Sequence, residues 1–314
     1  MNILYISPRF EGGIGGHAKR VSIKLNENGF NVELMQIPTI PIKNLKNPSF
    51  TIFGTFKTIL TMKSYDIVHA WNVPSGIIMK NICAKTKVLS IHGIYSQQIS
   101  SLHSKSVSKI GLIAEKKAIR NSNILTTDSR FVQKSYEKNF NKKTVYLPAP
   151  LDTEIFHSIK ETSTKKNQIV FIGRDSYEKG IDILKKIEPD LNIKVVYCTD
   201  YDWIDAMNEL KQSILLIVPS RHESIPQVIK EAFYLKIPVI ATNVGGIPEL
   251  IEHEKTGILV QSENSNELKI AINNLLNNPE LQNHLSDNAY KFIKENFVWE
   301  KLLQKYLNFY NSFT

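Results

Sequence analysis

Apolar residues fall along this chain in short runs, separated by stretches with helical spacing, and the alternation is regular. Asn2–Ser7 predicts a strand, His17–Asn28 a helix closed by Gly29, and Phe30–Gln36 a second strand. An amphipathic helix over Ser49–Met62 follows, then strands at Asp66–Ala70 and Lys87–Ile91, a long helix at Leu102–Asn121 and a strand at Asn123–Thr127. Past Pro148-Ala149-Pro150 and the polar run Glu161–Asn167 the pattern restarts. It predicts a strand at Gln168–Gly173, a helix from Gly180, a strand at Lys194–Cys198 and a helix at Asp205–Gln212. Ile214–Val218 is apolar without alternation, as in a parallel strand buried on both faces. Gln227–Leu235 reads as a helix, with Ser224 able to cap it and Pro226 suited to its first turn. Pro238–Thr242 is a further strand, and from Asn264 the chain reads as helical to its end. Strands alternating with helices imply an α/β protein with parallel sheets covered on both faces, divided near residue 158.

Length fits this division, since 314 residues suffice for two domains of about 150. No apolar run approaches the ~18 residues of a membrane span. Met1 leads straight into a strand with no basic leader-like segment, and Cys83 and Cys198 fit no metal spacing; both point to a reduced, cytoplasmic setting. Charge adds an asymmetry. Residues 1–150 carry 21 Lys/Arg against 7 Asp/Glu, whereas residues 151–314 carry 18 against 23. A basic half joined to an acidic half meets different partners: anionic lipid or an anionic acceptor suits the first, with simple solubility as the plain alternative. Nucleic acid is not expected, because no recognised binding motif accompanies the charge.

The chemistry-bearing residues gather at predicted carboxyl ends of strands, where open parallel sheets bind phosphorylated ligands. Ser220–Gly246 runs from strand end through a loop, a helix and a strand to Gly245-Gly246, with Glu223 before the helix and Glu231 inside it. Arg174 and Lys179 follow the first strand of the second half and precede a helix. Two cations there suit the charge of a phosphorylated ligand without a metal. Gly12-Gly13-Ile14-Gly15-Gly16-His17 is expected to form a loop between the first strand and helix, with N–H groups facing a ligand. It has neither Walker nor Rossmann spacing. His92 stands at a strand end before Gly93, and His69 at another is expected to line a cleft. Asp200-Tyr201-Asp202 matches a short cation-binding tripeptide by coincidence, and no metal site is expected.

Glu223 through Ala232, Pro238-Val-Ile-Ala-Thr242, Gly245-Gly-Ile-Pro-Glu249 and Gly173-Arg174 through Lys179-Gly180 closely resemble the donor-site signature of glycosyltransferase family 4, retaining enzymes of the GT-B fold. The resemblance extends to the Gly12 loop, the Ser90-Ile-His92-Gly93 motif and the linking segment Leu147–Phe156, where Ala149-Pro150 replaces the usual Asn-Gly. It implies two Rossmann-like domains with parallel sheets facing across a cleft. Residues 1–158 would be the acceptor-side domain, 159–295 a shortened donor domain, and 296–314 a helix crossing back to the first. It implies a retaining hexosyltransferase that moves a sugar from a nucleotide-diphosphate sugar, UDP-sugar favoured over GDP-sugar, to a hydroxyl of a glycan or lipid-linked acceptor. No cofactor is required. Glu231 would bind the donor ribose, and Glu223 with the Ile225-Pro226-Gln227 backbone the sugar hydroxyls. Arg174 and Lys179 would hold the diphosphate; His92 with Gly13, Gly15, Gly16 and His17 would complete the site. Between Tyr197 and Ser213 the chain lacks elements that in most members help hold the base. Surface polysaccharide or glycolipid assembly is the expected setting, with Phe50–Lys63 resting on an anionic membrane. The rivals are a non-catalytic binding relative and a GT-B nucleotide-sugar epimerase.

Overall fold

The computed structural model of the protein describes residues 1–40, 42, 45–95, 105–160 and 165–313. They form two compact units, one of Met1–Ala149 together with the chain from Leu303 onward, the other of Pro150–Leu302.

The first unit is built on a six-stranded sheet in which every pairing is parallel, ordered β2-β1-β3-β4-β5-β6. Its strands are β1 (Asn2–Ser7), β2 (Asn31–Gln36), β3 (Tyr65–Ala70), β4 (Ala84–Ile91), β5 (Ile124–Thr127) and β6 (Thr144–Tyr146). Ile3, Leu4, Tyr5 and Ile6 are all buried, which is the reason β1 lacks polar alternation. Helix α1 covers Gly13–Glu27, α2 Lys46–Ile59, α3 Val73–Ile78, α4 Lys105–Arg120 and α5 Arg130–Phe140. The glycine run is therefore not a loop but the first turn of α1, where Gly16 N–H donates to the Gly12 carbonyl at 2.6 Å. Tertiary approach selects glycine here, since a Cβ on Gly15 would stand 2.1 Å from the Arg9 carbonyl oxygen. The short α3 and α5 have no counterpart in the sequence pattern. Each rests on a local cap: Asn72 accepts from Ser75 N–H, and Ser129 from Val132 N–H. Residues 102–104 of the expected long helix, and 161–164 of the polar run, lie outside the described residues.

The second unit holds a parallel sheet ordered β11-β10-β9-β7-β8. Its strands are β7 (Gln168–Ile172), β8 (Lys194–Cys198), β9 (Leu215–Val218), β10 (Val239–Thr242) and β11 (Ile258–Val260), the last absent from the sequence pattern. The helices are α6 (Ile181–Ile187), α7 (Trp203–Gln212), α8 (Gln227–Tyr234), α9 (Ser265–Leu276), α10 (Pro279–Asn296) and α11 (Trp299–Asn311). One core cluster packs Ile229, Ala232 and Phe233 of α8 against Val170, Leu216 and Val239 of the central strands. The other face packs Ile183 and Leu184 of α6 and Ile272 of α9 against Ile169, Ile217 and Ile240. Adjacent residues on each strand thus serve opposite faces, as the pleat requires.

Beyond Leu302, α11 belongs to the first unit. There Tyr310 enters a buried hydrogen-bond chain. Its hydroxyl lies 2.6 Å from that of Tyr5 and 2.7 Å from His69 Nδ1, His69 Nε2 lies 2.7 Å from Ser90 Oγ, and Ser90 Oγ 2.6 Å from Thr126 Oγ1. Every polar atom of the imidazole is satisfied, as burial demands. His69 is thus a fully buried core residue rather than a cleft-lining one, and burial, then the nearby His92, lowers its pKa to about 3.

Candidate active site

Parallel strands end on one edge of a sheet, so the segments after β7, β8, β9 and β10 share one side of the second unit. Lys179 closes the short turn Tyr177–Lys179, and Gly180 follows with φ of 67°, a left-handed conformation suited to glycine. A Cβ on Gly180 would stand 2.0 Å from the Pro219 carbonyl oxygen, so glycine also lets this turn close against the loop after β9. Lys179 Nζ meets Glu223 Oε1 at 2.6 Å, and Ser220 Oγ donates to the same oxygen at 2.9 Å. The carboxylate is well enclosed, with 9% of its side chain exposed against 21% for the lysine. Gly245, at φ 57°, presses on Glu223 from the β10 loop; a Cβ there would stand 1.9 Å from the Glu223 carbonyl oxygen. The Gly245-Gly246 pair thus shapes the loop that aims Glu223.

Arg221 joins the two loops. Its guanidinium reaches Asp182 through two bonds of 2.7 and 2.8 Å, Glu263 at 2.9 Å and the Tyr177 carbonyl at 2.7 Å, and lies 3.8 Å over the Tyr177 ring centre. Its backbone N–H donates to the Glu178 carbonyl at 2.8 Å. Hydrogen bonds to Arg221 hold the Asp182 and Glu263 carboxyls below their usual range. Arg174 differs from Lys179: its side chain is 69% exposed and faces Glu178 at 3.4 Å. Of the two sequence-predicted cations, only Lys179 pairs with Glu223.

Pro226 occupies the cap position of α8, where Ser224 was the expected cap, and no side-chain cap bond forms there. The first turn of a helix leaves its N–H groups without intrahelical partners; of the expected Ile225–Gln227 stretch only Gln227 lies in that turn, and Pro226 has no N–H to offer. Glu231, eight residues beyond Glu223 and within α8, receives the Trp203 indole N–H on Oε1 at 2.8 Å. Asp202 of the Asp-Tyr-Asp tripeptide accepts from Asp205 N–H at 2.9 Å and caps α7.

The first unit has its own cluster. Register Ile91↔Thr127 between β4 and β5 brings the next residues, His92 and Asp128, side by side. His92 Nδ1 lies 3.0 Å from Asp128 Oδ2, while its Nε2 is buried without a partner among the described residues. With the proton on Nδ1 shared with the carboxylate, Nε2 is an acceptor. Trp71 stacks on His92 with ring centres 5.9 Å apart, and His17 stands edge-on at 6.1 Å. His17 Nε2 meets the Tyr306 hydroxyl at 3.2 Å. The predicted residues Gly13, Gly15, Gly16 and His17 thus open α1 beside His92.

Two functional candidates escaped the sequence motifs. Asp128 follows two threonines at a strand end, and that position one strand over from His92 was the available signal. Trp203 carried none, because its partner lies 28 residues away on another helix.

A family model described as Glycosyl transferases group 1 matches residues 190–292, about a third of the chain. An uncharacterized glycosyltransferase of Methanocaldococcus jannaschii is 23% identical, with 96% of this chain and 95% of that protein covered. Sucrose-phosphate synthase from Thermosynechococcus elongatus superposes with a TM-score of 0.82 at 16% identity, covering 99% of this chain and 98% of that one. Anabaena HepE in complex with UDP-glucose superposes at 0.75 with 17% identity, covering 99% and 100%. The chain has the GT-B fold, and the family model with the full-length relative supports its being a GT-B glycosyltransferase.

Proposed function

We propose that this chain is a retaining glycosyltransferase of family 4 type, moving a hexose from a UDP-sugar to a hydroxyl of a glycan or lipid-linked acceptor. The Lys179–Glu223 pair carries the reading. It sets a cation suited to a diphosphate beside a carboxylate suited to sugar hydroxyls, at the strand edge where open parallel sheets take phosphorylated ligands. In this reading Lys179 and Arg174 neutralise the departing diphosphate, and Glu223 with the start of α8 orients the sugar. Glu231 accepts the ribose hydroxyls. Within the first unit, His92, Gly13, Gly15, Gly16 and His17 are the residues this reading assigns to ligand binding. The leaving phosphate itself takes the proton of the acceptor hydroxyl on the face it departs from, so electrostatic stabilisation matters more than a protein base. UDP is favoured over GDP because the HepE neighbour binds UDP-glucose. Calorimetry with UDP, GDP and ADP tests this: UDP binds the parent and loses at least about tenfold in Lys179→Ala, a loss of ~1.4 kcal/mol. A parent that binds none of the three refutes it.

The acceptor is membrane-borne in this proposal, and the protein works at the cytoplasmic face in surface polysaccharide or glycolipid assembly. Ile52, Phe53, Phe56 and Ile59 of α2 and Leu60 just after it are exposed, and so are Ile110, Leu112 and Ile113 of α4; both helices pack against α3. Residues 37–64 contain four lysines and no acidic residue. Apolar groups beside lysines suit an anionic lipid surface. No helix among the described residues is long and apolar enough to cross a membrane. Cosedimentation with phosphatidylglycerol vesicles at low salt should be strong in the parent and lost in Phe53→Ser/Phe56→Ser; equal binding by both rejects the surface.

A further inference from the structure

The segment between β8 and α7 is four residues long, and it places an indole against a site carboxylate. Asp202 caps α7, and this fixes Trp203 as the first residue of the helix. The Trp203 ring packs edge-on to Phe156, with centres 5.3 Å apart, and joins the core cluster that holds α8. Phe156 in turn lies 4.7 Å from Tyr234 at the end of α8. From this packed position Nε1–H donates to Glu231 Oε1 at 2.8 Å. A glutamate on a partly open helix face otherwise samples three side-chain torsions, whereas an indole has two and these are packed. The donor is thus the fixed member of the pair and the carboxylate the guided one. An ionised carboxylate has about four acceptor positions, and the indole takes one of them.

We propose that Trp203 is the positioning residue for Glu231, and that through it the chain discriminates ribose from deoxyribose in the donor nucleotide. The inference rests on the reading of Glu231 as the ribose acceptor and deepens it. The short connection between β8 and α7 brings in the tryptophan. Hydrogen bonds to a charged acceptor are worth about 1.5–3 kcal/mol, so a well-placed Glu231 separates a ribonucleotide from its deoxy analogue by roughly 10- to 150-fold.

The test is calorimetry of UDP, 2′-deoxy-UDP and 3′-deoxy-UDP against the parent, Trp203→Phe and Glu231→Gln. Phenylalanine keeps an aromatic ring against Phe156 and removes the N–H together with part of the indole volume. In Trp203→Phe the preference for UDP over the better-discriminated deoxy analogue should fall at least about tenfold, while affinity for that analogue stays within about twofold. A merely structural role would weaken all three ligands alike. An unchanged ratio in Trp203→Phe with a collapsed ratio in Glu231→Gln overturns this inference alone. An unchanged ratio in both, or a parent that binds no UDP, removes the ribose reading of Glu231 and the inference with it. A second measurement avoids the variant's folding. The chain has three tryptophans, so the Trp203 indole ¹H–¹⁵N resonance of the parent is readily followed. It should move at saturating UDP by at least twice its movement with the discriminated deoxy analogue, and equal movement overturns the proposal.

Discussion

Removing the Lys179 ammonium should cost the second unit stability and nucleotide affinity together, and a double-mutant cycle with Glu223 separates the two. The pair meets at 2.6 Å with side chains 21% and 9% exposed. Exposed ion pairs contribute about 0.2–1 kcal/mol, whereas stripping one partner from a buried pair costs about 3–5 kcal/mol. A lysine one-fifth open to water lies between these limits. Lys179→Ala leaves the enclosed Glu223 carboxylate with the Ser220 hydroxyl as its remaining partner in this cluster, so a loss of about 2–3 kcal/mol follows. Glu223→Gln keeps shape and hydrogen bonding and should cost about 1 kcal/mol. The double variant should fall short of the sum by roughly 1.5 kcal/mol, because the unpaired charge no longer exists. In melting temperature Lys179→Ala corresponds to roughly 5–10 °C for a unit of this size. Nucleotide binding moves differently. Glu223→Gln releases Lys179 from its intramolecular partner, so its affinity for UDP should rise severalfold even as sugar transfer falls. Differential scanning calorimetry and titration with UDP measure both quantities on the same four proteins. Additivity within about 0.3 kcal/mol, with UDP affinity unchanged in Glu223→Gln, would refute the argument that the two groups hold each other before the donor arrives.

Three other outcomes follow from the first unit. Tyr310→Phe strips partners from His69 Nδ1 and the Tyr5 hydroxyl at once and should lower stability by about 1–3 kcal/mol, read by hydrogen exchange of the β3 and β4 amides. Burial keeps folded His69 neutral down to about pH 3, while the unfolded chain takes up its proton near 6.5. The unfolded state binds more protons within that window, so stability falls as pH drops through it, by up to about 1.4 kcal/mol per pH unit. The slope should flatten in His69→Phe, and an identical slope there excludes His69 as the source. Asp128→Asn should release the His92 tautomer and cut transfer at least about tenfold while UDP affinity holds; a matching loss of affinity would place Asp128 in binding instead.

How far sequence reached differs by element. β1 and β9 lie where their apolar runs put them, because such strands are buried on both faces and need no tertiary information. The start of α1 did not, since glycines carry no helical signal and only the approach of Arg9 to Gly15 explains them. The three-residue β6 and β11 are too short for any periodicity. At the site, Lys179 and Glu223 were each legible from local motifs. Their pairing across 44 residues was not, because it depends on β7 lying next to β9 in the sheet. Asp128 and Trp203 were hidden for the same reason: one is set by strand register, the other by helix packing.

The Arg221 clamp bears on how such units can be recombined. Gly180 closes on Pro219, Arg221 N–H bonds Glu178, and the guanidinium ties Tyr177, Asp182 and Glu263 into one body. The spacing of Lys179 and Glu223 is accordingly a fixed gauge, held from both loops at once. A chimera cut between residues 180 and 219 would draw the halves of that gauge from different parents and lose its calibration. Exchange of this cluster between relatives therefore needs crossovers outside 174–263, moving the whole block as a cassette.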